Sequence, residues 1–391
     1  MKVLRALLIS VVFIGCFSGR AVATEDASSG TAYTQWKQHL HEAYGLDYRV
    51  RAGFMAQRGA PNGKETLLRD KYEIESNWDV FASETWDSGS IQFLYEDINY
   101  PKLEGSQMSE RIGVVEPIND DAFQREYFKR FTYTHQFTGK MKHISLSVGQ
   151  FLIGNFGKAS YKSKPLSYFN NFSLAKNMTK GYPTGGVGAY LTYTGFENLT
   201  LIAGGQDTTN YYPQKISVEH LDEHKWTSFV YASWTPKLIS RGKTIFTGFI
   251  YHSPAIQKYD GQFNRAFTKE ANGWSFTARQ DIGKWTVLGK INGSTGNRMC
   301  VEQSYVAEVM YHNPFERNEL DQIGIGFGAN KISTFNANAV RPWENVAEAY
   351  ITFGISDFIT ITPDIQLYIN PALTREHHTA VVSSVQMKFL F

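Results

Sequence analysis

Sixteen stretches of this chain alternate, apolar residue against polar or small residue, with a period of two. The last, TAVVSSVQMKFLF at 379–391, sets Val381, Ser383, Val385, Met387 and Phe389 on one side. Ser384, Gln386 and Lys388 fall on the other, with Leu390 as the exception. A period of two marks a strand with one apolar and one wet face. The other stretches lie at 45–57, 71–84, 89–98, 124–138, 142–151, 187–196, 198–206, 225–235, 243–252, 273–282, 284–293, 304–312, 321–330, 344–355 and 358–369. Most match the length of a tilted membrane-spanning strand, roughly 9–11 residues.

The connections sort by parity. Those after even-numbered strands are mostly short, as at 87–89, 138–141, 197, 283 and 356–357, with those after the eighth and twelfth somewhat longer. Those after odd-numbered strands are mostly long: 58–70, 99–123, 152–186, 207–224, 253–272, 294–303, 331–343 and 370–378. A soluble sandwich has no reason to sort its loops this way. A bacterial outer-membrane barrel does, with short periplasmic turns and long external loops. The expectation is therefore all-β: a transmembrane antiparallel β-barrel of about 16 strands over residues 45–391. An unpaired backbone N–H or C=O in lipid costs several kcal/mol, so the last strand must close on the first. Aromatic residues near the strand ends (Tyr95, Trp226, Trp234, Tyr251, Trp274, Trp285, Tyr305, Tyr311, Phe389 and Phe391) are expected to form two interfacial girdles.

Residues 1–23 read as a secretory signal peptide. Lys2 and Arg5 precede an apolar run at Ala6–Phe17, and Ala21-Val22-Ala23 offers the cleavage site. A lipoprotein site at Cys16 is the rival reading, with Phe13 a poor fit to it. Loss of Lys2, Arg5 and Arg20 takes the basic count from 39 to 36 against 37 acidic residues, so no net field recruits nucleic acid. Only Cys300 then remains, and no internal disulfide is possible. Residues 24–44 form a short periplasmic segment in which Trp36, Leu40 and Tyr44 recur at helical spacing.

Both ends of the chain resemble the carbohydrate-selective porins of Gram-negative outer membranes. The carriers are TQWKQHLHEAYGLDYRV before and within strand one, and DQIGIGFGANK with ENVAEAYITFGISDFITITPDIQLYINPAL at the end. Within the latter, Thr362-Pro363-Asp364-Ile365-Gln366 through Asn370-Pro371 resembles the family's TPD-I-Q…NP strand. The resemblance implies a sixteen-stranded porin with a sugar preference, no cofactor and no catalysis. A plug-less siderophore-uptake barrel and an adhesin-like surface barrel share the architecture. The terminal Phe391 resembles the sorting signal read by the barrel-assembly machinery. A homotrimer is common among such barrels, and the sequence does not decide it. Outer-membrane lipid, lipopolysaccharide and a small hydrophilic solute are the expected partners.

The candidate pore residues come from two places. Charge facing lipid at mid-depth costs roughly 2–4 kcal/mol for Arg or Lys, so charged strand positions are expected to face the lumen. These are Arg49 and Arg51 on strand one, Glu73, Glu75 and Asp79 on strand two, Glu308 on strand twelve, and Asp364 on strand fifteen, with the polar Gln366 beside it. Opposed basic and acidic strands would set a transverse field; the alternative is static ion pairs within the wall. The longest loop, 152–186, is expected to fold inward, as its counterpart does in general porins by resemblance. It carries Lys158, Lys162 and further lysines without an acidic residue, with Tyr168 and Phe169 as flat faces and Asn170 and Asn171 as amide donors and acceptors. The alternative is a solvated surface loop. Gly324, Gly326 and Gly328 read as a slim inner face on strand thirteen. His143-Ile144-Ser145 resembles a phospholipase motif, but its Ser faces the lumen and the Asn-Gly expected after it is Leu146-Ser147. His39, His41, His377 and His378 show no metal spacing.

Overall fold

The structure is a computed structural model that describes residues 32–81, 87–115, 117–155, 168–210, 214–239, 242–255, 270–295, 300–334 and 338–391. The expected signal peptide lies outside these. The strands are β1 (Leu46–Ala60), β2 (Leu67–Phe81), β3 (Ser88–Asn99), β4 (Arg125–Gln136), β5 (Ile144–Phe151), β6 (Gly186–Phe196), β7 (Leu199–Asp207) and β8 (Trp226–Trp234). They continue as β9 (Gly242–Ser253), β10 (Ala271–Ile282), β11 (Trp285–Ser294), β12 (Val301–His312), β13 (Gln322–Ile332), β14 (Trp343–Gly354), β15 (Ile359–Ile369) and β16 (Thr379–Leu390). Each pairs antiparallel with its sequence neighbours, and β1 pairs with β16 to close the barrel. Every expected strand is present. Closure leaves no edge in the hydrocarbon.

The alternation sets which side chains meet lipid. On β16, Val381, Val385 and Met387 lie bare on the outside, while Ala380, Val382, Ser384 and Gln386 are buried within. Exposed Trp226, Trp274, Tyr305 and Trp343 ring the rim that carries the long loops, and Trp78, Trp234 and Trp285 ring the rim with short turns. Tyr251 departs from the expected girdle. It points inward beside Tyr182, with ring centroids 4.7 Å apart, because the neighbouring Ile250 takes the lipid side of β9.

The seam carries an extra element. Helix α1 (Ala32–Tyr44) lies on the outer face at the short-turn rim. Its Tyr33 meets the rings of Phe358 and Phe391 edge-on at 5.7 and 6.3 Å. Trp36 packs on Tyr48 at 5.7 Å. Phe391 itself exchanges two backbone hydrogen bonds with Val50, each 2.8 Å. The helix thus covers the junction of the first and last strands with apolar surface.

Two long loops leave the rim and descend inside the wall. Residues 100–124 carry helix α2 (Gly105–Arg111), whose Glu104 and Gln107 form a reciprocal capping box. The described residues of the second loop, 152–155 and 168–185, carry a one-turn helix, α3 (Phe172–Ala175). Apolar side chains of both loops bury against inward-facing side chains of the wall.

A charged interior narrowed by two anchored loops

Along β1 and β2 the expected charges face inward and pair across the strands. The register sets Arg49 opposite Glu75 and Arg51 opposite Glu73. Arg49 lies 3.5 Å from Glu75, and Arg51 holds both Glu73 and Glu75, the latter at 3.3 Å. Asp79 sits exposed at the short-turn mouth, accepting from the Asn77 amide at 3.2 Å. The basic and acidic strands are therefore neighbours, not opposed walls, and their charges compensate in a ladder.

The loop at 100–124 builds the first constriction. Leu103, Met108, Ile112, Val114 and Ile118 bury against inward Met55, Leu67, Val346, Tyr368 and Val382. Each such side chain contributes about 1.5–3 kcal/mol on burial. Polar contacts fix the register of the loop on the wall. The Ile118 carbonyl accepts from Gln57 at 3.3 Å and from Gln366 at 2.9 Å. The Glu344 carboxylate accepts from the backbone N–H groups of Val115 and of Ala372, the latter at 2.7 Å.

This loop delivers Asp120 and Asp121 to a cluster of cations. Asp121 lies 2.7 Å from Lys71, 3.0 Å from Arg125, 3.1 Å from Lys176 and 3.3 Å from Arg69. Asp120 meets Arg69 at 2.5 Å. Glu96 on β3 takes Lys71 at 2.9 Å and also Lys129. Five cations thus face three carboxylates. Burial pushes the Asp121 carboxyl up, but Lys176, Lys71, Arg69 and Arg125 outweigh it and hold it well below the usual carboxylate range. Burial likewise pulls the Lys176 ammonium below its ordinary value, with Asp121 and Asp120 opposing.

The third external loop crosses to the far wall. Its turn α3 is gripped at both ends. The Glu348 carboxylate accepts from the N–H groups of Asn170 at 2.6 Å and Asn171 at 2.9 Å. The Lys290 ammonium donates to the carbonyls of Ser173, Leu174 and Lys176 at 3.0, 2.8 and 3.0 Å. A carboxylate at the N–H end and an ammonium at the C=O end each meet backbone groups the short turn leaves unbonded. The bare inner face of β13 makes room for it: a Cβ on Gly326 would stand 2.9 Å from Leu174 and 3.0 Å from Phe169, and one on Gly328 2.8 Å from Ser173. The slim face expected there is the seat of this loop. Further on, Gly181 donates to the Tyr251 hydroxyl at 2.8 Å.

The predicted loop residues have placements unlike their expected use. Lys158 and Lys162 lie outside the described residues. Tyr168 and Phe169 are buried against Tyr350 and do not present open faces. Asn170 and Asn171 are 2% and 0% exposed. Their amides serve the loop's own anchorage, donating to Ser384 at 3.3 Å and Tyr368 at 2.7 Å. Glu308 is 1% exposed on the inner face of β12, opposite Leu288 and Gly326. Asp364 accepts from Ser384 at 2.8 Å. On β5, Ser147 faces inward, bonded to Thr134 at 2.7 Å, while Val148 meets lipid.

Sequence reasoning missed Arg69, Lys71, Glu96, Asp120, Asp121, Lys129, Lys290 and Glu348. Two signals were present. Arg69 and Lys71 share the parity of Glu73 and Glu75. The 100–124 loop is too rich in Met, Ile and Val for a solvated surface connection.

A closed sixteen-stranded barrel with a charged interior, an aliphatic exterior, two girdles and inward loops is the architecture of an outer-membrane porin. Residues 69–391 match the model of the carbohydrate-selective porin, OprB family, and the chain belongs to that family. The high-pH structure of Pseudomonas putida OprB superposes with a TM-score of 0.73 over 95% of this chain and all of that one, at 15% identity. Porin AaxA of Chlamydia pneumoniae is 31% identical over 315 residues, 80% of this chain and 69% of the relative. Porin AaxA of Chlamydia felis is 28% identical over 316 residues, with shares of 80% and 69%. The chain is thus an outer-membrane protein of a channel family, not of an enzyme family.

Proposed function

We propose that the barrel carries out passive diffusion of small hydrophilic solutes, carbohydrates first, across the outer membrane. One observation carries the reading: both inward loops are fastened to the wall by buried charges, so the lumen is narrowed by fixed polar groups. A fixed polar constriction admits solutes that exchange water for wall hydrogen bonds and rejects apolar ones. Arg49, Arg51, Glu73, Glu75 and Asp79 would line the route toward the periplasm. Lys158, Lys162, Tyr168, Asn170 and Asn171 would belong to the constricting loop, and Glu308, Asp364 and Gln366 to the wall behind it. In this reading residues 1–23 are the export signal, and Phe391 is read by the assembly machinery before the seam closes over it.

Liposome swelling tests the proposal. Vesicles bearing the protein should swell in isotonic monosaccharides, more slowly in disaccharides, and not in raffinose-sized or larger sugars. Swelling no faster than in protein-free vesicles for every solute would sink it.

A further inference from the structure

The basic side of the inner wall holds a notch that no described residue of either loop enters. Gly53 on β1 faces inward, and its register partners on either side are Lys388 of β16 and Lys71 of β2. A Cβ built on Gly53 would meet nothing nearer than the Met387 carbonyl oxygen, 3.9 Å away. Gly326 and Gly328 on the inner face of β13 differ, since loop side chains occupy their space. Gly53 is itself partly exposed, and the backbone forms the floor of the space beside it.

The charge at its edge also stands apart. The Lys388 ammonium lies over the Tyr168 ring, 4.8 Å from the centroid. Among the described residues no carboxylate oxygen lies within 4 Å of it. Its basic neighbours are all matched: Arg51 with Glu73, Lys71 with Glu96 and Asp121, Arg69 with Asp120. A ring face orients an ammonium without neutralising it. Lys388 therefore adds a positive charge to a cluster in which cations already outnumber carboxylates. A lysine is a compact point charge with three donors, suited to an oxyanion on a mobile solute.

We propose that the Gly53 notch, with the Lys388 ammonium at its edge, is a subsite for the carboxylate or phosphate group of a sugar-sized solute in transit. This rests on the diffusion-pore reading above and adds the charge class of the solute it favours. The absent Cβ lets the oxyanion approach the β1 backbone closely. Lys388 supplies a charge-assisted hydrogen bond there. Arg51 and Lys71, each partly exposed at the side chain, add attraction at longer range. The Tyr168 ring, held by the anchored third loop, keeps the ammonium at the notch. A neutral sugar meets the same space without the charge term.

Single-channel recording in planar bilayers tests this, with gluconate, glucose 6-phosphate and glucose as blocking probes. In the wild-type pore both anions should interrupt potassium chloride current at lower concentration than glucose. Lys388→Gln should raise the half-blocking concentration of both anions about tenfold, the change that ~1.4 kcal/mol produces, and leave that of glucose where it was. Lys388→Arg should restore most of the anion block. Gly53→Leu should weaken it with every lysine still present, and this backbone position tolerates a Cβ. Stronger block by glucose 6-phosphate than by gluconate would identify phosphate as the preferred group, and the reverse carboxylate. Equal block by glucose and gluconate in the wild type, or unchanged gluconate block in Lys388→Gln, overturns the proposal while the pore reading stands. If the folded protein passes no current, the pore reading fails. Calorimetric titration of gluconate into detergent-solubilised protein then decides the notch: binding lost in Lys388→Gln upholds it, and no binding to the wild type overturns it.

Discussion

On β15 and β16 the two faces of one wall can be compared residue by residue. Outward lie Ile365, Leu367, Val381 and Val385, each exposed. Inward lie Gln366, Tyr368, Val382 and Ser384, each buried and each in contact with a loop or a named side chain. The outer face answers to an average: any aliphatic residue dissolves in hydrocarbon about equally well. The inner face answers to particulars, because a residue there must fit one partner brought from far along the chain. Outer substitutions should therefore cost what transfer to lipid costs, and inner ones what cavities and orphaned charges cost.

The largest expected effect is at Asp121. Its removal leaves Lys71, Arg69, Arg125 and Lys176 with too few carboxylates. Breaking such a buried network costs about 3–5 kcal/mol. Asp121→Ala should release the 100–124 loop, visible as new protease cleavage there and as noisier, larger conductance. Acid should do the same, late. Because the folded carboxyl is held low, its contribution is complete above the ordinary carboxylate value of about 3.9. It drains only as pH falls through the lower folded value. Conductance should hold level from pH 7 to about pH 4 and rise only below that. A rise near pH 6 would show that another group controls the loop.

Next comes one substitution on both faces. Ile118→Ala empties a fully buried place between loop and wall and should cost about 2–5 kcal/mol. Ile365→Ala, 53% exposed to lipid on the outside, leaves a gap that lipid fills and should cost the transfer term alone, about 2 kcal/mol, with no cavity term added. Urea unfolding in vesicles compares them, and equal losses would break the contrast between faces. The reverse test adds charge to the outer face. Val385→Arg at mid-strand should cost about 2–4 kcal/mol, where an aliphatic replacement costs little.

The same contrast explains what the sequence allowed one to read. The outer face repeats one rule every second residue, so all sixteen strands and their closure were legible from alternation and loop parity. The rule fails where inner residues are apolar too. Strand two was expected at 71–84 and runs Leu67–Phe81. Leu67 is buried under the 100–124 loop while Leu68 faces lipid, so two adjacent leucines hide the period and Arg69 with it. Tyr251 was misplaced for the same reason: beside Ile250 both faces are apolar, and Tyr182, brought from the third external loop, packs on the inward one. The constriction was half legible. Parity marked Arg51 and Glu73 as inward. Nothing local told that Asp121 would meet Lys71 fifty residues away, or that Asn170 and Asn171 would be spent on Glu348 and Tyr368. Those pairings depend on which loop descends, a property of the whole barrel.

The smallest effect probes where the averaging rule for the outer face should begin to fail. Trp285 and Tyr311 are cross-strand partners at the short-turn rim, with ring centroids 4.5 Å apart. Trp285 is about half exposed, so most of its value should come from the interface itself, where an amphipathic ring is at home. If the outer face knows only averages, Trp285→Ala costs the transfer term alone, and Tyr311→Ala on top of it adds independently. If the ring pair matters, the double variant falls short of the sum by about 0.5–1.5 kcal/mol. A double-mutant cycle in vesicles should find a coupling at the low end of that range, because lipid headgroups compete for each ring face. Trp274 supplies the comparison at the opposite rim. Its ring covers Gly293, with a built Cβ 2.8 Å away, so it shields strand backbone where Trp285 meets another ring. A coupling at Trp285–Tyr311 as large as one measured across the lumen would mean that the girdle, too, is specified pair by pair.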